Sequence, residues 1–143
     1  MTIRLTARPL SVPAAYAALG DERSGGVVVF AGRVRPDVTR LGRVHSLDYE
    51  AHRPLALASL RRLAVQARQR YGARRVVLWH RVGRLRVGTV SVIVGVATPH
   101  RADAFAAARY LIDALKRETP IWKTDRGRPG RPRPSRPARR SAR

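Results

Sequence analysis

The apolar positions change period along the chain, and each change marks an element. TIRLTA at the start alternates apolar and polar residues and predicts an edge strand. SVPAAYAALG follows with a Ser, an early Pro and a closing Gly20, the punctuation of a short helix. GGVVVFAGRVR is a β-branched run entered through glycines and predicts a buried strand. A polar loop over 36–43 then leads into VHSLDYEA, which alternates again. Residues 54–71 put Leu57, Leu60, Leu63 and Ala64 on one face and stop before Gly72, predicting an amphipathic helix. RRVVLWHRVG and GTVSVIVGVAT are β-branched, bounded by glycines and predict strands, and 101–118 is a helix stopped by Pro120. With one more strand after that proline, the order is β-α-β-β-α-β-β-α-β. This is an α+β class with a largely antiparallel sheet and two main amphipathic helices.

Composition narrows what such a fold does. A chain of 143 residues fits a single core. Cysteine is absent, which removes disulfides, thiolate metal sites and a cysteine nucleophile together. No apolar run is long enough to span a bilayer, and MTIRLTARPLSV has no apolar export signal, so a cytoplasmic location is expected. The net charge is +21, unevenly distributed. Residues 126–143, RGRPGRPRPSRPARRSAR, carry eight Arg and four Pro with no acidic or large apolar residue, and are expected to form a disordered basic tail. Residues 1–125 form the expected domain, with 22 basic against 9 acidic residues. Such a surface favours polyanions, phosphorylated small molecules or an acidic protein, and charge alone does not choose among them.

Several chemistries lack their motifs. Neither a Walker-type phosphate loop nor a Gly-x-Gly-x-x-Gly run is present, and no Gly-x-Ser-x-Gly elbow supports serine catalysis. His45, His52, His80 and His100 lie on different elements without zinc spacing, and His80, inside an apolar strand, reads as structural. Cationic groups at element ends remain. His100 and Arg101 open a helix, whose free N–H groups attract anions. Arg33 and Arg35 sit at a strand mouth, two residues apart and on one face if the strand continues. Each of these is also an ordinary solvated surface group in a chain this basic.

Lys116 and Lys123 are the only lysines, and they flank RETPIW. Both amines are expected to face one pocket roofed by Trp122. Two nearby cations, partly desolvated, ease each other's deprotonation, and an amine serves as base or nucleophile where a guanidinium does not. Lys116 also has a purely structural reading, as a helix C-terminal cation.

In this order, VVVFAGRVR, SLDYEAHRPLA, WHRVGRLRVGTVSVIVGVATPHRADAF and IDALKRETPIWK resemble the molybdopterin synthase large-subunit family over about residues 3–125. The resemblance implies an α/β-hammerhead fold and a homodimer, each copy binding a small ubiquitin-like sulfur carrier that ends in a Gly-Gly thiocarboxylate. It implies transfer of two sulfurs to cyclic pyranopterin monophosphate, giving the molybdopterin dithiolene, with no cofactor of the chain's own. By position, Lys116 and Lys123 match the family's active-site lysines, and Arg33, Val34 and Arg35 match its substrate-binding strand end. His100 and Arg101 match its anion-binding pair, while Thr124 and Asp125 continue the segment begun by Lys123. Phe30, Ile112 and Trp122 match pocket positions. The Arg/Pro tail departs from the family, so a residue normally supplied by the segment after Lys123 has no evident counterpart. Two other classes stay open: a nucleic-acid binder acting through the tail, with only 6% aromatic residues against it, and an inactive scaffold for the small partner, with the lysines against it.

Overall fold

The computed structural model describes residues 1–36, 38–39, 42–43, 45–126 and 133–134, with backbone alone at 38–39, 42–43, 125–126 and 133–134. Three helices pack with two four-stranded sheets and a two-stranded hairpin. The first sheet is built from β1 (Thr2–Thr6), β2 (Gly26–Arg33), β6 (Arg75–Arg81) and β8 (Val90–Thr98), in the order β1-β6-β8-β2. β1 runs parallel to β6, and the other two pairings are antiparallel, so the sheet is largely antiparallel as expected. The second sheet has the order β10-β9-β5-β7, from β5 (Ser46–Ala51), β7 (Gly83–Arg86), β9 (Ile121–Arg126) and β10 (Arg133–Pro134). Within 36–43, read as loop, β3 (Val38–Thr39) and β4 (Gly42–Arg43) form the hairpin. Most of the expected tail lies outside the described residues; within it Arg126 closes β9, and Arg133 and Pro134 pair with Asp125 and Thr124.

Helices α2 (Arg53–Tyr71) and α3 (Arg101–Glu118) cover one face of the first sheet, and α1 (Val12–Ala18) covers part of the other. The alternation of β6 serves both faces. Val76 and Leu78 join Leu60, Leu63 and Leu111 beneath α2 and α3, whereas Val77 and Trp79 join Ala15 and Leu19 on the α1 side. Each large apolar side chain so buried contributes about 1.5–3 kcal/mol. On α2 the inward face is Ala56, Ser59, Leu60, Leu63, Ala64 and Ala67; Leu57, expected in the core, is half-buried at its margin. Small residues there and the alanines of α3 let the two helices lie close together on the sheet.

Two expectations need correction. GGVVVFAGRVR is no buried central strand: β2 is the sheet's outer edge, with Val27 and Phe30 exposed. β1 fills the opposite edge by pairing with β6, and among the described residues β2 pairs with β8 alone. The stretch after WHRVG also holds a strand the periodicity does not mark, because β7 is only GRLR and its single apolar residue, Leu85, reaches a separate small core with Leu47 and Val34.

Candidate functional site

The turn from α3 into β9 carries both lysines. α3 ends where Thr119 donates its N–H to the Leu115 carbonyl and Pro120 bars another helical residue. Two further bonds fasten that end: Thr119 Oγ1 lies 2.9 Å from Ser59 Oγ, both buried, and His52 N–H donates to the Pro120 carbonyl at 3.2 Å. Lys116 stands exposed on the last turn, where Lys116 and Arg117 also complement the helix dipole. Lys123 is half-buried on β9, directly across from Tyr49 of β5.

His80, read from sequence as a structural strand residue, joins the two lysines' surroundings. It is 5% exposed near the end of β6, its ring meets Tyr49 edge-on at 5.2 Å between centroids, and its Nδ1 lies 2.7 Å from the Arg81 carbonyl oxygen. Burial above all holds its pKa down at about 4; the bond to Arg81 acts against this, and the nearby Lys116 charge lowers it further. The imidazole is therefore neutral at physiological pH. One neighbour of Lys123 thus touches a ring that feels the charge of Lys116.

The end of β2 approaches the same region through Val34, between the two arginines. The strand proper ends at Arg33 after a register shift at Gly32/Arg33, yet Val34 keeps exchanging bonds with the β8 side: its N–H donates to the Thr89 carbonyl and its carbonyl accepts from Gly88. Val34 is 3% exposed and packs with Leu47, Leu85 and Tyr49, while Arg33 and Arg35 on either side are exposed. That alternation is what puts the two guanidinium groups on one face. Phe30 shares the helix-covered face of β2 with Gly32, where an added Cβ would come within 2.7 Å of Val92 Cγ1. Ile112 packs on the core beneath α3, one turn before Lys116.

Three expected members of the site, Trp122, His100 and Arg101, sit elsewhere within a single chain. Trp122 alternates away from Lys123 and donates its Nε1–H to Glu50 Oε2 at 3.1 Å. It borders a cavity of about 390 Å³ with Leu5 and Arg53, so it does not roof Lys123. His100 and Arg101 open α3 beside Gly26, at the other end of β2. Seven residue steps at about 3.3 Å each separate the Gly26 and Arg33 ends by about 23 Å. One chain therefore does not bring the His100–Arg101 pair to Arg33 and Arg35. Thr124 follows Lys123 on β9 half-buried, and the Asp125 backbone pairs with Leu47 and Arg133.

The comparisons agree with one another. The family described as MoaE protein matches residues 5–118. The molybdopterin synthase catalytic subunit of Nostoc sp. is 44% identical over 127 residues, covering 88% of this chain and 76% of the relative. Molybdopterin synthase catalytic subunit 1 of Mycobacterium tuberculosis is 41% identical over 127 residues, covering 85% and 82%. Among solved structures, molybdopterin synthase from Staphylococcus aureus superposes with a TM-score of 0.86 at 28% identity, over 92% of this chain and 95% of the other. A chain from the protein-protein complex of subunits 1 and 2 of molybdopterin-converting factor from Helicobacter pylori shares the fold, with a TM-score of 0.78 at 19% identity over 94% and 90%.

Proposed function

The chain belongs to the MoaE family, as a molybdopterin synthase catalytic subunit of molybdenum cofactor biosynthesis, and from that membership we propose that Lys116 and Lys123 carry its sulfur transfer. The donor is the C-terminal thiocarboxylate of a small ubiquitin-like subunit ending in Gly-Gly, and the acceptor is cyclic pyranopterin monophosphate. A dithiolene needs two sulfurs and each thiocarboxylate holds one, so two equivalents of partner are consumed and released as carboxylates. The partner supplies the sulfur, which is consistent with a chain that has no cysteine. The Helicobacter complex of two subunits, one of which shares this fold, supports such a partner.

The observation that carries the reading is the shared surroundings of the two lysines, reached from β2 by Val34, which lies between Arg33 and Arg35 and packs with Tyr49. The arginines supply planar donors to the substrate phosphate, and the amines supply proton transfer or covalent assistance, which arginine does not. Phe30 and Ile112 line the approach, and β9 carries Lys123 on into Thr124. His100 and Arg101 serve the phosphate from a second copy. Their separation from Arg33 within one chain, and the exposed edge of β2, support a homodimer in which each copy completes the other's site.

The direct test is Lys116→Arg in the assembled enzyme. It keeps the charge, and we expect it to lower conversion of precursor by two or more orders of magnitude, about the range contributed by a general acid or base. Turnover like the wild type would leave Lys116 an electrostatic role only.

A further inference from the structure

We propose that Thr98 is a positioning residue for substrate binding, its buried hydroxyl fixing the turn that presents His100 and Arg101. The inference rests on the reading of that pair given above. On β8 the side chains of Val92, Val94 and Val96 enter the core beneath α2 and α3, and alternation brings Thr98 to the same face. Alternation alone would allow a further valine there. Thr98 is fully buried, and its Oγ1 donates to the His100 carbonyl at 2.5 Å.

That carbonyl belongs to the peptide that joins His100 to Arg101. The peptide is planar, so fixing its carbonyl fixes the direction from which both exposed side chains start. The usual helix N-cap holds the first turn with its own side chain, but the side chain of His100, the N-cap of α3, makes no such bond. The turn is held from outside. Gly25 donates its N–H to the Pro99 carbonyl at 3.2 Å. Gly26, the β2 partner of Thr98, lets the backbones close, since a Cβ there would lie 2.9 Å from Arg101 Cα and 3.0 Å from the His100 carbonyl carbon. These contacts use neither the imidazole nor the guanidinium, which leaves both to a ligand. Only the Thr98 hydroxyl among them bonds the shared peptide itself. Without it the His100 carbonyl keeps the long bond from the Ala104 N–H, at 3.4 Å.

Two comparisons isolate the hydroxyl. Thr98→Val exchanges it for a methyl on the same β-branched stem, and Thr98→Ala differs from Thr98→Ser by the oxygen alone. Cyclic pyranopterin monophosphate is titrated against the full chain and each variant, with small-subunit docking measured beside it. Thr98→Val should bind the precursor about three- to tenfold more weakly than the wild type, and Thr98→Ala more weakly than Thr98→Ser by a like factor, the scale of one hydrogen bond. Thr98→Ser should stay within about twofold of the wild type, and small-subunit affinity should not change. A merely structural role would lower the denaturation midpoint and leave precursor affinity where it was, which overturns the proposal. So does an equal loss in Thr98→Ser and Thr98→Ala, and this second comparison decides if Thr98→Val does not fold. In a chain already carrying His100→Ala and Arg101→Ala, Thr98→Val should weaken precursor binding no further; an undiminished loss there means that Thr98 does not act through the pair. The reading of the pair fails separately. Unchanged precursor affinity in Arg101→Ala strikes that reading and the proposal with it, whereas a weakened Arg101→Ala beside a wild-type-like Thr98→Val strikes only the role of Thr98.

Discussion

Lysine and arginine carry the same charge at neutral pH, so what distinguishes Lys116 and Lys123 from the arginines around them is the ability to give up a proton. That difference lies in the residue types themselves, which is why both positions stand out in the sequence. His80 does not stand out. Its neighbours come from β5 and α3, 31 residues before it and 36 after it in sequence, and a lone histidine in an apolar strand reads as core. The useful signal was the polarity of the position itself, a histidine inside VVLWHRV where alternation would continue the helix-facing core of Val76 and Leu78. Its burial also carries a stability consequence. The folded-state pKa of about 4 lies below the ordinary 6.5, so the unfolded chain binds more protons between those values. The contribution is fully present above pH 6.5 and is lost as pH falls through 4, and integrating the difference gives about 3 kcal/mol. Urea unfolding followed across that window should show this slope in the wild type and a shallower one in His80→Gln. Identical slopes would contradict the burial of a neutral imidazole.

At the level of elements, the helices were legible because their signals are local: Pro54 and Gly72 bracket α2, and Pro120 stops α3. The role of β2 was not. Its run of valines has the composition of a buried strand, and whether a strand is central or at the edge depends on which partners arrive from elsewhere, here on β1 joining β6. β7 escaped for a related reason, since four residues with one apolar side chain become a strand only against β5. The tightest junction between elements is testable. A Cβ at Gly26 would lie 2.9 Å from the backbone of Arg101, where β2 begins and α3 starts. Backbone on both sides leaves little room to yield, so Gly26→Ala should destabilise by about 1–3 kcal/mol, the usual cost of overpacking. Chemical denaturation measures it. No loss would mean that the start of α3 is not held against β2.

For the whole molecule, the fold class follows from the chain, but the distribution of the candidate site residues over the fold does not. The family resemblance gives His100, Arg101 and Arg35 all to substrate binding. The fold puts the first two at the other end of β2, because α3 runs back along the strands and carries its own ends apart. Complementation between copies tests the dimer reading. Arg101→Ala should weaken precursor binding by about 1.5–3 kcal/mol, the scale of a hydrogen bond to a charged group, with small-subunit docking little changed. Mixed dimers of Arg101→Ala with Lys116→Arg should then recover activity approaching half that of the wild type per dimer, because one of the two sites is built entirely from unaltered residues. No recovery would return Arg101 to its own chain's site or to the protein interface. The Arg/Pro tail reaches β9 through Arg133 and Pro134, which pair with Asp125 and Thr124, and its part is tested by truncation. Deleting 129–143 should weaken nucleic-acid retention and its salt dependence while sparing sulfur transfer, and loss of transfer with the fold intact would show that the tail stands in for the family's usual segment.

The central claim is that this chain moves sulfur from a small partner's terminus to a phosphorylated pterin by means of two lysines. Intact mass of the small subunit, measured before and after incubation with the chain and cyclic pyranopterin monophosphate, tests it most directly. The account predicts that thiocarboxylate becomes carboxylate with two equivalents consumed per dithiolene formed, and that Lys116→Arg leaves the partner's sulfur in place. A partner whose mass is unchanged by the wild-type chain, or whose sulfur is released equally well by Lys116→Arg, would contradict it.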